Sequence, residues 1–261
     1  MNGIRGFVSA TVLLVVVVAL AAPALAEEET QYPGVRPMEL YGCTFRDGQG
    51  MAQLNHVAGR WNAWMDSTGA NDYWAYILMP FFHSSEFPYD VLWAGGWPSG
   101  AAMGASLEQW LTEGGELAAE FDRVVDCPGH VNFAVMDLTM KADSPPPPAA
   151  GPVAFSDCKV AEGREFGEAM KAVQDWIAYE REQGIVADHF MLFPAYGESS
   201  DADYSFKWVT TSTWAELGKG YDQYGNSGGW QKAQELFKDL LVCDSSRLYQ
   251  SSLVRRMEKA E

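Results

Sequence analysis

The chain repeats itself. Aligned on itself at an offset of 115 residues, Cys43 falls on Cys158, Gly48 on Gly163 and Trp61 on Trp176, while Asp47 and Glu162 keep an acid before the glycine. The segment from His83 to Trp93 lies over Glu198 to Trp208 without a gap. There Ser84, Ser85, Tyr89 and Trp93 match Ser199, Ser200, Tyr204 and Trp208, and Glu86 answers Asp201. Beyond it the offset becomes 116, with Phe121 on Phe237 and Cys127 on Cys243. A collinear series of rare Trp and Cys residues marks an internal duplication, so the chain is expected to fold as two similar units of about 100 residues each.

Between the copies stand Asp143-Ser144, the prolines 145–148 and Ala149-Ala150-Gly151-Pro152. Consecutive prolines favour an extended chain and cannot enter a helix or a central strand, so 141–152 reads as a linker. The expected division is therefore a first repeat over 38–140 and a second over 153–254, with short tails at 27–37 and 255–261.

The four cysteines, Cys43, Cys127, Cys158 and Cys243, allow three pairings. Each repeat holds two at matching positions, which makes Cys43 with Cys127 and Cys158 with Cys243 the parsimonious choice. Each bond would close a loop of about 85 residues, a constraint of roughly 4 to 5 kcal/mol in the chain-entropy treatment.

In the first copy, 38–45 reads as a strand turned by Asp47-Gly48. From Met51 the apolar positions Met51, Leu54, Ala58, Trp61 and Met65 recur at three and four residues, the mark of an amphipathic helix; Phe166, Ala169, Val173 and Trp176 repeat it. Aromatic and apolar runs at 73–79 and 89–95 read as strands. A helical region over 107–125, interrupted by Gly114-Gly115 as the second copy is by Gly228-Gly229, precedes a closing strand at 130–138. Strand, helix, strand, strand, helix, strand is the ferredoxin-like order, in which the first and fourth strands are neighbours, and Cys43 and Cys127 fall near that seam.

One such unit leaves a sheet face bare, and two can cover each other. In this, the chain resembles the dimeric α+β barrel superfamily with both subunits fused into one polypeptide, a resemblance carried by topology and length over nearly the whole exported protein. It implies an α+β fold of two ferredoxin-like βαββαβ repeats packed as a pseudo-dimeric barrel. It also implies a range of activities, from monooxygenases and haem enzymes to dehydratases and proteins with none, so it speaks to fold rather than chemistry.

Arg5, the apolar run from Val8 to Ala22 and the Ala24-Leu25-Ala26 site have the form of a signal peptide over 1–26. This predicts a periplasmic or secreted protein whose thiols are oxidised and which has no membrane attachment after cleavage. Loss of Arg5 leaves 17 basic against 35 acidic residues, a net charge of −18. Such a surface repels phosphate backbones, so nucleic acid is not an expected partner, and oligomeric state is left open.

No GxSxG, P-loop, GxGxxG, HExxH or CxxCH is present, so no cofactor or metal site is read from the residues. Period-two alternation puts Tyr89, Val91 and Trp93 on one strand face, and Tyr204, Phe206 and Trp208 on its counterpart. Tyr89, Trp93, Tyr204 and Trp208 are thus candidate ligand-binding residues, two aromatic stripes walling a cavity between the repeats that would suit a small apolar or aromatic molecule. Core packing would explain the same residues. His83, Glu86, His189 and Asp201 are the candidate catalytic groups, as acids or general bases of an oxygenase- or lyase-like enzyme; Ser-Ser-acid also caps turns. His189, opposite Trp74 at the common offset, is placed to face the cavity, whereas His56 and His130 read as surface residues. A third possibility is an interaction module without ligand, which would show an exposed apolar patch in place of a pocket.

Overall fold

The computed structural model describes residues 34–69, 72–139 and 148–257. The signal peptide read over 1–26, most of the N-terminal tail and the heart of the linker lie outside the described residues. In the first half a strand β1 (Val35–Phe45) leads through Asp47-Gly48 into α1 (Met51–Thr68), which ends on left-handed Gly69 and is followed by β2 (Trp74–Phe82) and β3 (Val91–Gly96). Then come α2 (Gly100–Glu113), α3 (Gly115–Phe121) and the long β4 (Val125–Asp137). The second half repeats this as β5 (Ala150–Val160), α4 (Phe166–Glu182), β6 (Asp188–Tyr196), β7 (Phe206–Thr211), α5 (Trp214–Asn226) and α6 (Gly229–Phe237), closing with β8 (Leu241–Cys243) and β9 (Arg247–Arg255).

Several boundaries move. The linker gives way to β5 at Ala150, and Arg255 still belongs to β9, where it is buried and ion-paired to Asp66 of α1. The helical region expected at 107–125 begins at Gly100, because the Ser99 hydroxyl accepts the Ala102 N–H and caps a start that two glycines disguise. It ends at Phe121, so Cys127 and His130 stand inside β4 and not in the turn before it.

Strands run in the order β4-β1-β3-β2 in the first half and β9-β5-β7-β6 in the second. Antiparallel pairing of β2 with β9 and of β4 with β6 joins them into a closed eight-stranded barrel, with β8 prolonging the β9 edge of β5. Closure leaves none of the eight strands an open edge. Disulfides join Cys43 to Cys127 across β1 and β4, and Cys158 to Cys243 across β5 and β8, 84 and 85 residues apart in sequence.

Side-chain alternation gives each strand an inward and an outward set. Inside the barrel, Met38, Leu78, Leu92 and Phe133 pack with Val153, Phe155, Leu192 and Tyr249 into one apolar cluster shared by both halves. Outside, Leu54, Val57, Trp61 and Met65 of α1 cover the first sheet face together with α2 and α3, and Ala169, Met170, Val173 and Ile177 of α4 cover the second.

The correspondence between halves is 115 residues at β1 with β5 and at β3 with β7, but 114 at β2 with β6. Register confirms it: Ile77 stands opposite Trp93, and Met191 opposite Trp208. These two strands, WAYILMPFF and DHFMLFPAY, also show the same succession of buried and part-buried positions. The second half has lost one residue before the strand and regained it in the loop after. Since side chains alternate, that single residue turns every position of β6 to the other face relative to the simple alignment.

Candidate functional site

A cavity of about 360 Å³ lies in the first half between the outer sheet face and α1, α2 and α3, at the small end of the range for ligand sites. Strand alternation sends Glu39, Tyr41 and Cys43 of β1 to its floor, beside Val91 and Trp93 of β3. Helical periodicity brings Trp61, Trp64 and Met65 of α1 down onto it, while Trp110 of α2 and Phe121 of α3 complete the wall.

Glu39 is the chemical centre of this floor. It is 7% exposed, and burying a carboxylate is costly unless donors surround it. Tyr73 donates its hydroxyl to Glu39 Oε1 at 2.6 Å, and His130 Nε2 lies 2.9 Å from Oε2. Trp93 in turn donates its indole N–H to Tyr73 Oη at 2.9 Å, so a chain of bonds runs from Trp93 through Tyr73 to the acid. Tyr41, opposite His130 in the β1–β4 register, stacks on its imidazole at 3.7 Å and 11°. Burial, and then the Glu39 charge, push the phenols of Tyr41 and Tyr73 well above the ordinary tyrosine range, so both remain protonated donors. Gly95 makes the arrangement possible. A Cβ there would sit 1.7 Å from Tyr73 Oη, so only a glycine lets the hydroxyl rest against the strand.

The second half holds an equivalent space of about 460 Å³, lined by Trp176, Trp208, Tyr224 and Phe237. Ala154 and Ser156 occupy the places of Glu39 and Tyr41, so its floor has no carboxylate. The most deeply buried polar side chain among the described residues of this half is His189, 2% exposed. Trp208 donates its indole N–H to His189 Nδ1 at 3.2 Å, and Nε2 lies 2.7 Å from Glu180 Oε2 on α4. With Nδ1 accepting, the ring proton belongs on Nε2, towards the acid.

These positions correct several expectations. The space between the halves is filled by the shared apolar cluster, and the aromatic stripes do not meet across it. Trp93 and Trp208 face outward, each into the cavity of its own half. Tyr89 precedes β3 and turns the other way, its ring lying over the paired Gly42 and Gly129, where a Cβ would come within 2.5 Å and 2.8 Å of it. Tyr204 is hydrogen-bonded to Glu198 and carries the Lys207 ammonium 3.9 Å above its ring. His189 faces α4, because of the one-residue shift in β6, and not the barrel interior. His83, Glu86 and Asp201 stand on exposed loops; His83 Nδ1 contacts the Ser84 carbonyl and Asp201 donates its N–H to the Ser199 hydroxyl in a local turn. The structure therefore does not gather the four candidate catalytic groups, and neither His83 nor His189 lines either cavity. Among the described residues no three His, Cys, Asp or Glu side chains are placed to hold a metal ion.

Glu39, Tyr73 and His130 were missed by sequence reasoning. The available signal was parity: Glu39 shares a strand face with Cys43, and a cysteine pairing with another strand of the same sheet marks a covered face.

No protein-family profile matches the sequence, and no curated protein matches it. Solved structures do. A variant of the chlorite dismutase from Candidatus Nitrospira defluvii superposes with a TM-score of 0.51 at 7% identity, over 85% of this chain and 92% of that one. A heme-binding protein from Thermus thermophilus gives 0.50 at 10%, over 85% and 92%. A dye-decolorizing peroxidase from Bacteroides thetaiotaomicron gives 0.50 at 10%, over 85% and 94%. At such identities the likeness is one of fold, and the fold is that of the dimeric α+β barrel proteins, with both halves of the barrel supplied by a single chain.

Proposed function

We propose that this is an exported protein that binds a small, partly apolar or aromatic molecule in the helix-covered cavity of its first half. The observation that carries the reading is Glu39, a buried carboxylate held by Tyr73 and His130 on the floor of an aromatic-walled space of about 360 Å³. A protein that only needed a core would fill such a space with apolar side chains. A few fixed polar groups among aromatic walls are the usual form of a ligand site.

Export rests on the signal-like N-terminus and is supported by the two disulfides; no described helix is long and apolar enough to cross a membrane. The reading of the halves as diverged ferredoxin-like copies draws support from their equivalent strand orders and from one disulfide in each.

The fold raises the question of haem, since one structural neighbour is a heme-binding protein. Axial ligands come from His, Cys, Met or Tyr. All four cysteines are in disulfides, and His189 has both ring nitrogens engaged. No histidine lines either cavity, the Tyr73 hydroxyl is committed to Glu39 and Trp93, and Met65 is packed among Trp61, Tyr73 and Trp97. The residues present do not fit haem, and no chemistry is derived through it.

The test is a thermal-shift and tryptophan-fluorescence screen of small metabolites against the native protein and Ala118→Phe, which fills the cavity. A ligand at a hundred times its Kd stabilises by about 2.7 kcal/mol. Ligands should lose that effect in Ala118→Phe, and equal shifts in both proteins would refute the assignment.

A further inference from the structure

We propose that the cavity selects an organic cation, an ammonium group carrying small apolar substituents; this rests on the reading of the cavity as a ligand site. Among the described residues, three acids line it, Glu39, Asp122 and Asp126, and no Lys, Arg or His does. Asp126 is paired with Arg46 at 3.2 Å, and Arg46 also donates to the Asp122 backbone carbonyl, so one of these two acids has its countercharge. The charge that decides the matter is Glu39. Tyr73 and His130 bond it and the Tyr41 hydroxyl is a third partner, leaving about one of its roughly four lone-pair sites for a ligand. Both phenols near it stay protonated, so they orient the anion without adding charge of their own.

The walls point the same way. Tyr41, Trp61, Trp93 and Trp110 line the space, and aromatic rings attract cations through their quadrupole. A carboxylate beneath aromatic walls repels carboxylates and phosphates and attracts a cation, while its tyrosine donors bring hydrogen bonds but no countercharge. The second cavity is an internal contrast: it keeps Trp176 and Trp208 but has Ala154 where Glu39 stands, with Lys238, Asp239 and Asp244 also on its lining.

The experiment is calorimetric titration of the disulfide-intact protein at low salt with choline and benzyltrimethylammonium. Their controls are 3,3-dimethyl-1-butanol, the uncharged carbon isostere of choline, and benzoate. The cations should bind at least about tenfold more tightly than the isostere, and benzoate not measurably. Glu39→Gln should abolish the cation preference while leaving the isostere within about twofold, and Trp208→Phe in the other half should change nothing. If Glu39→Gln does not fold, Trp110→Leu on the helical wall should weaken the cations by about tenfold. A cation preference that survives Glu39→Gln, or that Trp208→Phe removes, overturns the inference. Equal binding of choline and its isostere, or preference for benzoate, also overturns it but leaves a small-molecule site in place. No binding by any probe, with Ala118→Phe also silent in the metabolite screen, overturns both.

Discussion

Tyr73→Phe tests the relay beneath the cavity at its middle link. The substitution keeps the ring, which packs edge-on against Trp61 and Trp97, and removes one oxygen. Two bonds disappear with it: the 2.6 Å bond donated to Glu39 and the 2.9 Å bond accepted from Trp93. A bond to a charged acceptor contributes about 1.5 to 3 kcal/mol, and a buried N–H left without a partner costs about 1 to 3 kcal/mol. Because both ends share one hydroxyl the terms do not simply add, and we expect a loss of about 2 to 4 kcal/mol. For a fold of this size that is roughly 5 to 15 °C in Tm. Urea unfolding of the oxidised protein gives the number, and an unchanged m-value would assign the loss to the native state. In a cycle with Glu39→Gln, the two changes should couple by about 1 kcal/mol or more. A loss below about 0.5 kcal/mol, typical of a surface substitution, would mean that Glu39 and Tyr73 are not joined as described.

Other consequences are equally open to measurement. Gly59→Ala, at an open position within α1, should stabilise by up to about 1 kcal/mol, whereas Gly95→Ala forces the Tyr73 hydroxyl away and should destabilise by more than that; denaturant midpoints of the two variants check the opposite signs. Replacing Cys43 and Cys127 together by alanine should cost roughly 4 to 5 kcal/mol, read from urea unfolding against the parent. Tyr41, Tyr73, Tyr204 and Tyr249 all have phenol pKa values raised by burial, so the folded state holds protons that the unfolded chain releases near pH 10. Their contribution is whole below that pH and is lost progressively as pH rises above it towards the raised folded-state values. Absorbance at 295 nm should therefore show these four ionising only with unfolding.

How much was legible in the chain depends on how local the cause is. Cysteines at matching places in two copies paired within each copy, and the three-and-four spacing in 51–65 found α1 with the face it buries. The start of α2 was hidden because Gly100 and Gly104 suppress the helical signal that Ser99 restores. His189 was placed on the wrong face because the alignment carried an offset of 115 through a strand where the register is 114. His130 looked like a turn residue after Pro128-Gly129, yet β4 runs through both. The candidate site was legible in part: Trp93 was singled out, but for a cavity in another layer.

By itself the amino-acid order determined the α+β content, the course of α1 and the sulfur pairs, since each follows from spacing along the backbone. Which side of each sheet would be packed solid and which would retain a space was decided only by the tertiary structure. Closing eight strands into a barrel filled the inside with apolar residues from both halves and left the volume under the helices. There Glu39 meets Tyr73 from 34 residues away and His130 from 91, a meeting that no local rule of the chain encodes.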